Sequence, residues 1–232
     1  MRSFIDPVLE ARLFLGKIPF FADLSEASLQ VLARASIFVR VEKGQFIFFQ
    51  DDPSDKAYLV RSGLISIILE SLDGRKLVIN EMRSGDFFGE VGLLTKQSRS
   101  SSAIARTDGE LLALPRQAFI SVMDMEPALV RRMLEMTAVR LRESSERESA
   151  LAFLDAQGRL ARLLLQLGRQ ELEKGYITIS QEELAERTGQ TRQTVAKALG
   201  RWRRAGWLIT GRGRIMLLKH AELAHLEQES SN

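Results

Sequence analysis

The sequence predicts an α+β chain of two domains joined by one long helix, with an antiparallel β-barrel or jelly roll first and a winged helix-turn-helix last. Three observations predict it. All five prolines (Pro7, Pro19, Pro53, Pro115, Pro127) fall in the first 127 of 232 residues, among short apolar runs punctuated by Gly, Asp and Pro. From Pro127 to Leu154 nothing breaks a helical pattern. Beyond it a serine cap, a glycine turn and a basic segment follow at the spacing of two helices joined by a tight turn. The boundaries expected are 1–126, 127–155 and 156–232.

In the first part, helical patterns at Leu29–Ala35 and Arg116–Met125 flank a series of strand-like runs. Ile37–Val41 precedes Lys43-Gly44, Phe46–Phe49 precedes Asp51-Asp52-Pro53, and Ala57–Val60 precedes Ser62-Gly63. Leu64–Leu69, Leu77–Ile79, Ala103–Ala105 and Leu111–Leu114 continue the pattern. Many short strands at such spacing imply an all-β sandwich or barrel.

Pro127 suits the first turn of a helix, where its missing N–H costs nothing. A helix from there to Leu154 is about 40 Å long. A heptad trace through Val130, Leu134, Thr137, Leu141, Ser144, Glu148 and Leu151 gives a narrow seam with a polar interruption in its lower half. So narrow a seam fits another helix better than a broad core, which predicts self-dimerisation. Asp155 can cap the next helix, whose apolar face runs through Leu160, Leu163, Leu164 and Leu167, so Asp155–Gly158 is the expected hinge.

Charge is unevenly divided: residues 1–155 hold 20 Lys/Arg against 22 Asp/Glu, whereas residues 156–226 hold 13 against 6. A basic C-terminal part is the electrostatic footprint of a polyanion binder. Ser180-Gln181-Glu182-Glu183 reads as a capping box, Gly189 as the sharp turn and Thr191 as the cap of a second helix. A hairpin of Trp207–Thr210 and Arg214–Leu218 around Gly211-Arg212-Gly213 is the wing. A second helix docked by its N-terminal end in a major groove presents Arg192, Gln193, Thr194 and Lys197 to bases and phosphates. Arginine is forked for guanine and glutamine for adenine. Arg201, Arg203, Arg204, Arg212 and Arg214 are assigned to phosphate, which gives affinity without sequence information. Ser180 and Thr191 complete the expected interface with duplex DNA.

Phe88-Gly89-Glu90-Val91-Gly92-Leu93-Leu94, followed by Arg99-Ser100, is the most specific stretch. Gly89 and Gly92 let the backbone approach a ligand, and a short helical turn after them aims N–H groups at an anion. Glu90 supplies an acceptor suited to a ribose hydroxyl, and Arg99 a cationic fork for phosphate oxygens. A bare surface salt bridge between the two needs neither the glycines nor the serines.

With Gly85-Asp86-Phe87-Phe88-Gly89-Glu90, Arg99-Ser100, Arg140, Ser144-Ser145, Leu151-Ala152-Phe153-Leu154-Asp155 and Thr191-Arg192-Gln193-Thr194-Val195 in view, the chain resembles the cyclic-AMP receptor protein family of bacterial transcription regulators over nearly its whole length. The resemblance implies a cyclic-nucleotide-binding N-terminal domain, a long dimerisation helix and a homodimer on a palindromic operator, working with RNA polymerase. It implies cAMP, or alternatively cGMP, as allosteric ligand, enclosed by Gly89, Glu90, Val91 and Gly92. Glu90 would hold the ribose 2′-hydroxyl, Arg99 and Ser100 the cyclic phosphate, Arg140 a further phosphate or hinge contact, and Ser144 and Ser145 the purine. Three departures are visible. The loop from Glu90 to Arg99 is one residue shorter than in the best-known bacterial member. Gln193 stands where that member has glutamate. Glu148 occupies a seam position that is usually apolar, which leaves cGMP in play.

Other function classes are disfavoured. Cysteine is absent, excluding disulfides, thiolate metal sites and thiol nucleophiles. The two histidines, His220 and His225, are five apart and do not share a helix face, so no metal site is expected. With no histidine pair or second acid beside Glu90, no enzyme is expected. No run approaches the roughly 18–20 apolar residues of a membrane span, and Asp6 and Glu10 spoil a signal pattern, so a cytoplasmic protein is expected.

Overall fold

The computed structural model describes residues 6–229. The backbone divides into two compact units, one holding the chain up to Leu69 with Ile79–Arg140, the other Glu70–Val78 with the chain from Leu141 on.

The first unit opens with α1 (Pro7–Leu15), where the Asp6 carboxylate accepts from Val8 N at 3.0 Å and Pro7 takes the first helical position. A 3-10 turn at Pro19–Phe21 leads to α2 (Glu26–Ala35), capped by Ser25, whose Oγ accepts from Ser28 N at 3.2 Å. The helix expected from Leu29 therefore starts nearly one turn earlier, because the cap and not the first leucine sets its origin. Next come β1 (Ile37–Val41), β2 (Phe46–Phe48), β3 (Lys56–Ser62), β4 (Ile65–Glu70), β5 (Lys76–Met82) and β6 (Phe87–Phe88). After the short helix α3 (Glu90–Thr95) follow β7 (Ser102–Ala105) and β8 (Gly109–Pro115), then α4 (Arg116–Met125) and α5 (Pro127–Phe153), whose part beyond Arg140, like the start of β5, is counted with the second unit.

The strands form two four-stranded sheets, in the orders β1-β8-β3-β6 and β2-β7-β4-β5. Of the expected sandwich or barrel, the strands form a jelly-roll sandwich: hydrogen bonding runs within each sheet and stops at its edges. Along β3, Ala57 and Leu59 join α1, α2 and α4 in one core with Phe21, Leu32, Phe87 and Phe119, while Tyr58 and Val60 face Phe48, Ile65 and Ala103 of the other sheet. Leu112 and Leu114 of β8 alternate with Leu111 and Ala113 in the same way. A strand covered on both faces reads as a continuous apolar run, which is what these segments show. Burying one such leucine or phenylalanine fully stabilises by roughly 1.5–3 kcal/mol. Leu129 and Met133, on the first turns of α5, enter the helical side of this core.

Glu126, just before Pro127, ties α5 to α2. Its Oε1 accepts from Ser25 Oγ (2.6 Å), Ser28 Oγ (2.6 Å) and Ser25 N (3.2 Å). The hydrogen bonds from the Ser25 and Ser28 hydroxyls hold its carboxyl below the ordinary carboxylate range. A depressed carboxyl contributes stability that is present above the unfolded-state pKa and is lost as pH falls through the folded one. The melting midpoint of Glu126→Gln is therefore expected to lie below that of the wild type at neutral pH and to converge with it in acid. Thermal melts across a pH series check this; a pH-independent gap would refute it.

In the second unit Asp155 caps α6 (Ala156–Gln170), accepting from Gly158 N at 2.7 Å. A 3-10 turn at Leu172–Lys174 leads to β9 (Ile177–Thr178), α7 (Gln181–Thr188), α8 (Arg192–Arg204), β10 (Leu208–Gly211), β11 (Arg214–Leu217) and α9 (His220–Glu229). The sheet order is β10-β11-β9, all antiparallel. Leu160 and Leu164 of α6, Leu184 of α7, Val195, Leu199 and Trp202 of α8, Ile215 of β11 and Leu223 of α9 make one core. Among the described residues no helix is long and apolar enough to cross a membrane.

Candidate functional site

The first site is built where β6 ends. Gly89 turns the chain into α3 with φ +80°, and a Cβ there would lie 2.8 Å from Arg99 Nη1. Glycine is thus required twice, by the backbone conformation and by the approach of the guanidinium. A Cβ on Gly92 would meet Gln97 O and Ser54 Cβ at 2.7 Å, so α3 is pressed between the loop that follows it and the β2–β3 connection. Between the two glycines Glu90 is buried and ion-paired to Arg140 of α5, whose other nitrogen donates to Phe87 O. Val91 is exposed.

Arg99 is 3% exposed. Its Nη1 donates to Gly89 O (2.7 Å) and its Nη2 to Lys56 O (2.5 Å), while Nε is buried without a partner among the described residues. The guanidinium carbon lies 4.2 Å from the centre of the Phe48 ring and 5.9 Å from that of Tyr58. Burial pushes the Arg99 pKa down, opposed by the charges of Tyr58, Asp55, Asp52 and Glu90. Burial likewise raises the Tyr58 phenol. Ser100 follows on the surface.

Of the predicted ligand residues, the structure brings together Gly89, Glu90, Arg99 and Arg140. It does not join Glu90 to Arg99 in an ion pair. Ser144 and Ser145 lie further along α5 in the second unit; Ser144 Oγ donates to Glu148 Oε1 at 3.1 Å, and Ser145 is exposed. Sequence reasoning missed Phe48, Tyr58 and the Lys56 carbonyl. Their runs read only as strands, and nothing local marks them as neighbours of a loop some forty residues on.

The second site is the α7–α8 pair. Ser180 Oγ accepts from Glu183 N (3.1 Å), but the Glu183 carboxylate binds Arg187 (2.9 Å), so only half of the expected capping box forms. Gly189 adopts φ +65° between the helices, and Thr191 Oγ1 accepts from Thr194 N at 3.2 Å. Val195, Ala198, Leu199 and Trp202 bury one face of α8, which leaves Arg192, Gln193, Thr194 and Lys197 exposed on its first turns. Two arginines assigned to phosphate are held elsewhere: Arg201 donates to Gln157 Oε1 (3.0 Å), and Arg214 lies 4.6 Å over the Tyr176 ring. Arg212 is exposed at the wing tip before Gly213, whose φ is +68°. Arg159, unremarked in the sequence, donates to Thr188 O (3.1 Å) and Leu154 O (2.8 Å), fastening α6 to the end of α7.

A jelly roll carrying a glycine-flanked Glu and a buried Arg, followed by a winged helix-turn-helix, defines a DNA-binding transcription regulator with a small-molecule sensor. Residues 38–126 match the cyclic nucleotide-binding domain family, and residues 158–226 the Crp-like helix-turn-helix domain. The CRP-like cAMP-activated global transcriptional regulator of Mycobacterium tuberculosis is 32% identical over 216 residues, covering 83% of this chain and 96% of that protein. The cyclic AMP receptor protein of Thermus thermophilus is 33% identical over 184 residues, 79% of this chain and 85% of its own. Among solved structures, the c-di-GMP responsive global regulator CLP of Xanthomonas campestris superposes with a TM-score of 0.75 at 26% identity, over 83% of this chain and 99% of that one. The chain belongs to the cyclic-AMP receptor protein family: it is a cyclic-nucleotide-responsive, DNA-binding transcription regulator, and its relatives are regulators, not enzymes.

Proposed function

We propose that the protein is a cAMP-activated homodimer of the cytoplasm that binds palindromic duplex DNA and acts with RNA polymerase. The observation that carries the sensing half is Arg99, a buried cation with no carboxylate in ion-pair contact among the described residues, whose Nε has no partner there. A buried unpaired charge is costly, and an anion offsets the cost. A cyclic phosphodiester fits this donor set, with Arg99 and Ser100 on its oxygens, Gly89, Val91 and Gly92 lining the approach and Glu90 accepting from the ribose. Arg140 orients Glu90, and Ser144 and Ser145 are assigned to the purine.

Dimerisation is supported by α5, which exposes Leu134 (66%), Leu141 (67%) and Leu151 (44%), all on the heptad trace. The Ser144–Glu148 hydrogen bond gives the seam carboxylate a partner within its own helix. On DNA, Arg192, Gln193, Thr194 and Lys197 enter the major groove, Ser180, Thr191 and Arg212 hold phosphates, and Arg201 contributes after release from Gln157.

Ligand raises DNA affinity only by as much as it prefers the DNA-competent arrangement, typically about 1–3 kcal/mol, or roughly 5–150-fold. Calorimetry with cAMP, cGMP and cyclic di-GMP, paired with mobility shifts on a random-sequence library, tests this. Saturable cAMP binding that tightens DNA binding is expected. Binding of cGMP or cyclic di-GMP in its place would move the ligand assignment; binding of none would end it.

A further inference from the structure

Phe48 has a role that none of the motifs assigns. The pairing of β2 with β7 slips between Phe46 and Phe48, an irregularity of the kind that re-aims a side chain. Phe48 is 8% exposed, and its ring is one corner of a triangle of aromatics: Tyr58 lies 6.0 Å away at 28°, Phe88 6.1 Å away at 35°, and these two are 5.4 Å apart at 21°. The Arg99 guanidinium covers the Phe48 ring at 4.2 Å. A Cβ on Gly89 would touch Arg99 Nη1 at 2.8 Å, Phe48 Cε1 at 3.5 Å and Tyr58 Cδ2 at 3.6 Å, so fork, ring and glycine share one contact point.

Two carbonyls occupy one nitrogen each of the fork, and the ring covers a flat face. What remains for an anion is the Nε–H, which has no partner among the described residues, and the second N–H of each terminal nitrogen. We infer that Phe48 is a positioning residue for the ligand: its ring holds the Arg99 guanidinium by a cation–π contact, so that the N–H groups left over by the two carbonyls are already oriented when the phosphodiester reaches them. This rests on the reading that Arg99 binds the phosphate. A flexible arginine free in solvent would lose rotamer freedom on binding; one seated on an aromatic face has already lost it.

The test replaces residue 48 in the full-length protein with phenylalanines of increasing ring fluorination, which weakens the ring quadrupole while leaving its shape nearly unchanged. Phe48→Leu and Phe48→Tyr are made beside it, and each protein is titrated with cAMP by calorimetry. The Kd is expected to rise stepwise with fluorination, by about 3- to 30-fold for Phe48→Leu, and to stay near the wild-type value for Phe48→Tyr. In an Arg99→Leu background the fluorination series is expected to be flat. Stepwise weakening that persists without Arg99, or a flat series in the parent, would overturn the role of Phe48 while leaving the phosphate reading intact. Wild-type cAMP affinity in Arg99→Leu itself would instead overturn that reading. Should Phe48→Leu not fold, the fluorinated series, which keeps the packing, still decides.

Discussion

Arg99→Leu is expected to abolish the response to cyclic nucleotide while the chain stays folded. Removing one partner of a buried, hydrogen-bonded charge pair typically costs about 2–5 kcal/mol of binding, a loss of roughly 30- to 5,000-fold. The effect on the fold is smaller. Gly89 O and Lys56 O lose their donors, at about 1–3 kcal/mol each where water does not replace them. Against this, the substitution removes a cation that burial already disfavours, and leucine packs on the Phe48 ring. These effects oppose each other, so the thermal midpoint should move by no more than a few degrees. Calorimetry with cAMP and a circular dichroism melt measure the two halves separately. Undiminished cAMP binding in a folded variant would show that the phosphate is held elsewhere.

Glu90 makes a contrast with Arg99. Its carboxylate is neutralised by Arg140, so in the proposed complex it would meet the ligand as part of a pair that also grips Phe87 O. The sequence places Glu90 and Arg140 in one ligand set but suggests separate tasks for them. They are fifty positions apart, and only the course of α5 past the end of β6 brings them together. Motif spacing carries local geometry well: Gly89, Gly189 and the caps at Asp155, Ser180 and Thr191 all lie within a few residues of what they serve. It carries nonlocal packing poorly. Phe48 and Tyr58 belong to ordinary apolar runs, and their placement under Arg99 depends on strand pairing between distant segments.

The same distinction explains the fold. The long helix is legible because Pro127 starts it and no Gly or Pro follows before Asp155. The helix pair is legible from its caps and turn. The closure of the strands is less so, since alternation fixes which face of a strand is buried but not where the ladder ends; the strand spacing therefore leaves sandwich and barrel both open. α1 escapes notice although Asp6 and Pro7 are sound start signals, because Leu9 and Leu13 remain exposed and blur its apolar face. α9 follows the wing with a similarly weak pattern, its apolar anchor being the fully buried Leu223. The Ser180 box forms by half because a basic residue one turn on, Arg187, competes successfully for Glu183.

At the DNA end, Arg192→Leu is expected to relax sequence preference at one base pair in each half-site while leaving other positions unchanged. Arg192 is exposed on the first turn of α8. A bidentate arginine–guanine pairing contributes about 1–3 kcal/mol of discrimination, or roughly 5- to 150-fold between the right and the wrong base. Arg212→Ala should behave differently: a wing that no longer neutralises its phosphate binds all sequences more weakly, and the slope of log K against log salt falls by about 1. Arg214→Ala should do less to the salt slope, because its guanidinium rests on Tyr176, and Arg201→Ala should do less because part of its interaction with DNA is offset by the bond it gives up to Gln157. Selection from a random-sequence library, followed by salt titrations on the selected site, separates base reading from phosphate binding. If Arg192→Leu selects the same sequence as the wild type, the N-terminal turn of α8 does not read bases, and the docking in which that turn enters the major groove is wrong.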